Sequence, residues 1–216
     1  MRIVRGREPT PEADLDVTQS LVDWTRTRAE TAVRVWRPHR IVAFGRRDTN
    51  RDGYESARRH ATDRGYVPLE RRVGGHAVAY TGQTVAFVKT EPIEDSRTGI
   101  QQRYESTLTA VEEALETLGV DPSRCEPEGA FCPGTHSLSA NGKIAGLAQR
   151  VHRDVAVVSG VVVVSDHEEI AGVLEPIYAA LDVPFRKASV GSVRRAGGQA
   201  SAGIVIESLE ETLRKA

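Results

Sequence analysis

The sequence predicts an α+β fold, a mixed and largely antiparallel sheet wrapped by helices. Three observations predict it. Segments rich in β-branched residues follow one another across short Gly or Asn-Gly turns, which sets neighbouring strands antiparallel. Five other stretches carry helical spacing, and they interrupt the strands in groups rather than one by one. A regular βαβ array would need a crossover helix between every pair of strands, and this chain does not supply them. Its 216 residues suffice for one core, so a single domain over residues 1–216 is expected.

Each element has a local reason. Pro9 and Pro11 precede a helix whose Leu15, Thr18, Leu21, Val22, Trp24 and Thr25 fall at helical spacing. Residues 31–36 and 40–45 are β-branched and aromatic, and read as two strands joined across Pro38. Residues 54–64 return to a helical period and stop at Gly65. Residues 66–73, 77–81 and 84–89 read as three short strands, divided by Gly74-Gly75 and by Thr81-Gly82. A long amphipathic helix over 98–118 places Ile100, Tyr104, Leu108, Val111, Leu115 and Leu118 on one face and ends at Gly119. Residues 137–140 and 143–151 flank Asn141-Gly142, a pair that tolerates positive φ twice and so predicts a tight hairpin. Residues 155–158 and 161–165 form the most apolar strand segment, and 167–181 and 208–215 finish the chain as helices.

Composition narrows the function. With 29 basic and 30 acidic residues the formal net charge is −1, which gives no electrostatic case for nucleic acid or an anionic membrane. No run of about 18 apolar residues occurs, so no transmembrane span is expected. Met1 to Asp14 lacks the apolar core of a signal peptide, and two cysteines make no disulfide framework. Both facts predict a cytoplasmic protein with reduced thiols.

The chemistry concentrates around Phe131-Cys132-Pro133-Gly134 and Asn141-Gly142-Lys143. Cys132 stands in a Gly/Pro-rich loop eleven residues before Lys143. A thiol holds an acyl group as a thioester, and an ammonium beside it stabilises both the thiolate and a developing oxyanion. Taken singly, a buried structural cysteine and a solvated turn lysine are the ordinary readings. A second cluster is Arg71-Arg72-Val73-Gly74-Gly75-His76. Its glycines either let the backbone approach a ligand or serve turn geometry alone, while Arg71 suits an anionic or polarised group. Cys125, Cys132 and His136 offer three zinc ligands without a fourth at suitable spacing, so no metal is expected.

Gly45-Arg46-Arg47, then Arg71 to Val78, then Asn141-Gly142-Lys143-Ile144-Ala145-Gly146-Leu147-Ala148-Gln149-Arg150 together resemble the biotin/lipoate protein ligase and octanoyltransferase superfamily. The resemblance runs from about residue 15 to about residue 164, and Phe131-Cys132-Pro133-Gly134 is most similar to the cysteine-dependent octanoyltransferases. It implies a catalytic domain like those of class II tRNA and biotin synthetases, with an acyl chain in a tunnel. It implies Cys132 as the acyl-accepting thiol and Lys143 as the contact to the acyl carbonyl. Arg71, Gly74, Gly75, His76 and Ala77 are then expected to line the acyl site, with Gly146, Ala148 and Gln149 beside the lysine. The implied partners are lipoyl-domain proteins (2-oxoacid dehydrogenase E2 and glycine cleavage H protein) or acyl carrier protein, with no cofactor. An ATP- and magnesium-dependent lipoate ligase, or a non-catalytic acyl-binding relative, are the alternatives. Two positions depart from the superfamily pattern: Val73 replaces the usual Ser or Thr, and His76 replaces Gly or Leu.

Overall fold

A computed structural model describes residues 1–71, 75–199 and 201–216. Among these, nine strands and five α-helices follow the order β1 (Arg2–Arg5), α1 (Pro11–Arg28), β2 (Ala32–Trp36), β3 (Ile41–Phe44), α2 (Tyr54–Thr62), β4 (Val67–Glu70), β5 (Val78–Tyr80), β6 (Thr84–Pro92), α3 (Ile100–Thr117), β7 (Ser137–Ser139), β8 (Lys143–Val151), β9 (Val155–Val163), α4 (His167–Ala180) and α5 (Ala202–Leu213). None of the described helices is long and apolar enough to cross a membrane.

The α+β prediction holds, with the strands divided between two sheets. The larger has the order β1-β2-β6-β9-β8-β7, and the smaller has the order β4-β3-β5. Pairing is antiparallel except at β1 with β2 and β3 with β4. Each parallel pair is bridged by one helix, α1 or α2, so two βαβ units sit at sheet edges where the sequence predicts none. Of the two, the segments of β3-α2-β4 are each expected, whereas the other unit begins with β1, whose Arg-Ile-Val-Arg is too short and too charged to show a strand period. Residues 31–36 and 40–45 do form strands, but they enter different sheets, because Pro38 turns the chain away from the first.

Local chemistry explains the helix ends. Thr10 caps α1 by accepting from the Ala13 N–H at 3.2 Å, Pro11 needs no partner for its nitrogen, and Glu12 and Asp14 meet the positive end of the helix dipole. The Asn141-Gly142 turn has φ of 52° and 108°, as the hairpin requires. Strand β9 runs unbroken through Ser159-Gly160. A Cβ on Gly160 would lie 2.4 Å from the Phe87 ring, so only glycine lets that ring cross β9. Helix α5 starts at Ala202, earlier than the expected 208, since Val205 and Leu209 bury one turn after another.

Helices α3 and α5 cover one face of the large sheet, packing Leu108, Val111, Leu115, Val205 and Leu209 against Val33, Phe87 and Val162. Across the other face α1 packs Leu21 and Val22 on Val88 and Val157, each such side chain adding roughly 1.5–3 kcal/mol. The small sheet stands over the same face, backed by α2 and α4 through Val42, Phe44, Ala57 and Leu174. Between α1, the small sheet and the large sheet a cavity remains.

Candidate acyl-transfer site

The floor of this cavity is a row of paired residues. Ser137 faces Gly146, Gly146 faces Val161, Val161 faces Ala86, and Ala86 faces Trp36. A second row holds Ala148, Ser159 and Val88. Directly opposed residues share a sheet face, and all of these but Trp36 are small or of modest size, so the sheet leaves room above itself. All of them line a cavity of about 540 Å³, roofed by Ile41, Ala43, Val78 and Tyr80 and by Leu15, Thr18 and Val22 of α1. That volume lies within the usual range for a small-ligand site, roughly 300–1,000 Å³.

Arg71, Cys132 and Lys143 meet at one end. Cys132 adopts φ of +40°, a left-handed conformation that strains a side-chain-bearing residue. Two contacts hold it there. Its N–H donates to Tyr178 Oη at 2.6 Å, and that hydroxyl donates to the Ala77 carbonyl at 3.0 Å. Arg71 Nη2 donates to Cys132 Sγ at 3.1 Å and to the His76 carbonyl at 2.6 Å. The His76 ring faces Asp48 at 2.7 Å, and Asp48 accepts from the Gly45 N–H at 3.0 Å. A hydrogen-bonded chain thus runs from the turn after β3 to the sulfur.

Lys143 is 1% exposed. Its ammonium reaches Glu126 at 3.1 and 3.2 Å, the Phe131 carbonyl at 3.1 Å and the Cys132 carbonyl at 3.0 Å. A Cβ on Gly146 would come within 3.0 Å of Lys143 Cε, so glycine there gives the lysine arm its path.

Burial by itself raises the Cys132 thiol. The Arg71 charge, the His76 backbone N–H and the Lys143 charge outweigh it and hold the thiol below its ordinary range. Burial pulls Lys143 below the usual amine range, against the opposing pull of Glu126 and the cysteine. Tyr178 and Tyr80 are raised by burial and keep their hydroxyl protons. The result is a thiol biased toward thiolate, a buried ammonium and an apolar cavity at one place. Such a set can attack an acyl carbonyl and hold the acyl chain.

Of the residues expected from sequence, Arg71, Cys132, Lys143, Gly146 and Ala148 line the cavity together. Gly74, with Arg72 and Val73, lies outside the described residues. Gly75, His76 and Ala77 are not among the residues that line the cavity: the His76 ring turns to Asp48, and Ala77 serves through its carbonyl. The expectation for Gln149 is corrected. Strand alternation turns its side chain to the opposite face, where it accepts from Arg103 at 2.8 Å and donates to the Ile100 carbonyl at 3.0 Å. Sequence reasoning misses Tyr178, Glu126, Asp48 and Tyr80. Tyr178 lies 46 residues from Cys132, and nothing in its helical spacing marks it out. Among the described residues no group of three His, Cys, Asp or Glu side chains could hold a metal ion.

The sequence pattern described as "Lipoyl protein ligase A/B catalytic domain" matches residues 10–214. The chain belongs to this family. Within the lipoyl protein ligase A/B family it is 29% identical over 153 residues to an octanoyl-[GcvH]:protein N-octanoyltransferase of Anoxybacillus flavithermus, covering 70% of this chain and 55% of that one. It is 26% identical over 123 residues to a lipoyl-[GcvH]:protein N-lipoyltransferase of Listeria monocytogenes, covering 56% and 44%. The chain therefore spans about half the length of these relatives. The fold matches lipoate-protein ligase A bound with ATP at a TM-score of 0.77, with 19% identity and coverage of 99% of this chain and 85% of that one. A bipartite lipoate protein ligase from Thermoplasma acidophilum matches at 0.74, with 17% identity and coverage of 100% and 83%.

Proposed function

We propose that this protein moves an octanoyl or lipoyl group from a carrier protein, through a Cys132 thioester, to a lysine of a lipoyl domain. One observation carries the reading: the Cys132 sulfur sits 3.1 Å from the Arg71 guanidinium at the end of a cavity whose middle is apolar. An adenylating ligase has no use for an activated thiol at that point.

In the first step the thiolate attacks the acyl carbonyl and a C–S bond forms. The bond to the donor's sulfur or nitrogen breaks, and that leaving group takes up a proton from solvent. Lys143 has three N–H donors already shared among four acceptors, so the acyl oxygen replaces one carbonyl and gains the ammonium as its oxyanion partner. In the second step a lysine amine attacks acyl-Cys132. The amide C–N bond forms, the C–S bond breaks, the thiolate returns and the amine gives up its proton to solvent. No step draws on ATP.

The relatives' names support acylated GcvH as donor, and the E2 lipoyl domain named with a ligase of the same fold supports lipoyl domains as the acceptor class. A reducing compartment such as the cytoplasm keeps the thiol free. The test is to mix the protein with octanoyl-GcvH or an octanoyl carrier protein and analyse it by mass spectrometry. A hydroxylamine-labile octanoyl adduct on Cys132, absent from Cys132→Ser, is the expected result. Transfer that requires ATP and magnesium and survives Cys132→Ser would show the ligase chemistry instead.

A further inference from the structure

His76 departs from the superfamily pattern, and the two halves of this residue do separate work. Its backbone serves the thiol. The N–H bonds the Cys132 sulfur, and the carbonyl accepts at 2.6 Å from Arg71 Nη2, the nitrogen that also donates to that sulfur at 3.1 Å. The residue is 7% exposed and is not part of the cavity lining. Its side chain turns to Asp48 instead, with Nδ1 2.7 Å from Oδ1.

Asp48 is wholly buried in the turn after β3. Its Oδ2 accepts from the Gly45 N–H at 3.0 Å, and its own N–H donates to the Gly45 carbonyl at 3.0 Å. These reciprocal bonds fix the carboxylate to its turn. Among the described residues His76 is the only basic side chain paired with it. A carboxylate out of water is costly unless a donor meets it, so ring and carboxylate hold each other in place. Glycine or leucine at position 76 would leave Asp48 without that partner. The anchored ring in turn restrains the peptide groups that carry it. Those groups need the restraint, because Gly75 immediately before them limits the backbone least of all residues.

We propose that Asp48 and His76 are positioning residues: the buried carboxylate anchors the ring, and the ring holds the peptide groups of residue 76 against Cys132 Sγ and Arg71. The consequence for catalysis rests on the acyl-transfer reading, whereas the placing of the sulfur does not.

The experiment compares His76→Leu and His76→Asn, each in a Cys125→Ser background. Leucine removes the bond to Asp48. Asparagine keeps an N–H donor close to the place of Nδ1 and cannot exchange protons as an imidazole does. Two quantities are read: the pH profile of iodoacetamide alkylation at Cys132, and the saturation kinetics of its acylation by octanoyl-pantetheine. His76→Leu should shift the alkylation profile upward, because the N–H and the guanidinium then hold the thiolate less well. It should also lower the maximal acylation rate roughly 10–100-fold, with the half-saturating concentration little changed because the cavity is intact. His76→Asn should recover most of both losses. If His76→Leu does not fold, the double variant Asp48→Asn with His76→Leu breaks the same bond without stranding a buried charge. A lowered Tm with an unmoved profile and an unmoved maximal rate would show a purely structural pair and overturn the proposal. Asparagine failing as leucine does would overturn it too, by making the ring itself the acid or base. If octanoyl-pantetheine acylates no form of the protein, the transfer reading fails, and the alkylation profile still decides whether the pair positions the sulfur.

Discussion

Replacing Tyr178 by phenylalanine tests how Cys132 is held. The Tyr178 ring is fully buried, and its hydroxyl is both the acceptor for the Cys132 N–H at 2.6 Å and the donor to Ala77 at 3.0 Å. Phenylalanine keeps the packing and removes both bonds. Each polar group left buried without a partner costs on the order of 1–3 kcal/mol. Part of that returns if Cys132 relaxes from its φ of +40°, a conformation worth roughly 1–3 kcal/mol of strain. A net loss of about 2 kcal/mol follows, which lowers Tm by about 4–8 °C in a chain of this size. The relaxed loop moves Sγ away from Arg71, so the rate of acyl-Cys132 formation should fall together with Tm. Thermal denaturation followed by circular dichroism and the mass-spectrometric acylation assay read the two effects. An unchanged Tm together with an unchanged acylation rate would refute the claim that Tyr178 positions Cys132.

Two further outcomes follow from the electrostatics. Arg71→Met, in a Cys125→Ser background that removes the exposed thiol, should move the pH profile of iodoacetamide alkylation at Cys132 upward, because burial then acts against the thiolate with less opposition. Folding favours the Cys132 thiolate in the intact protein, so this group adds stability above the ordinary thiol range and loses it as pH falls through its lowered folded value. A profile that does not move would show that Arg71 is no partner of the thiolate. Glu126→Gln removes the charge that opposes burial at Lys143, so the ammonium should deprotonate at lower pH. The alkaline limb of the acylation rate then shifts down, and an unshifted limb would place the oxyanion partner elsewhere.

Most helices and strands were legible because each depends on its own local pattern. The α1 cap, the Asn141-Gly142 turn and the amphipathic face of α3 need no distant partner to be recognised. Strand β1 was not legible, since its charged residues pair with β2 only after α1 has carried the chain back. Within the site, Cys132 and Lys143 stood out because a hairpin and a Gly/Pro loop bring them close along the chain. Gln149 misled because nearness to Lys143 in sequence says nothing about which face of β8 a side chain takes until the register is known.

The sequence by itself determined the local elements and the neighbourhood of the Cys132 thiol and the Lys143 amine, since both are set by residues within a few turns of one another. Tertiary structure alone decided that Tyr178 binds the cysteine backbone, that Glu126 pairs with the lysine charge and that α1 and the small sheet roof the cavity. Those contacts join residues from separate helices, strands and loops. Their hydrogen bonds exist only where packing of the two sheets and α1 excludes water, and no local period encodes which distant side chain will fill such a place.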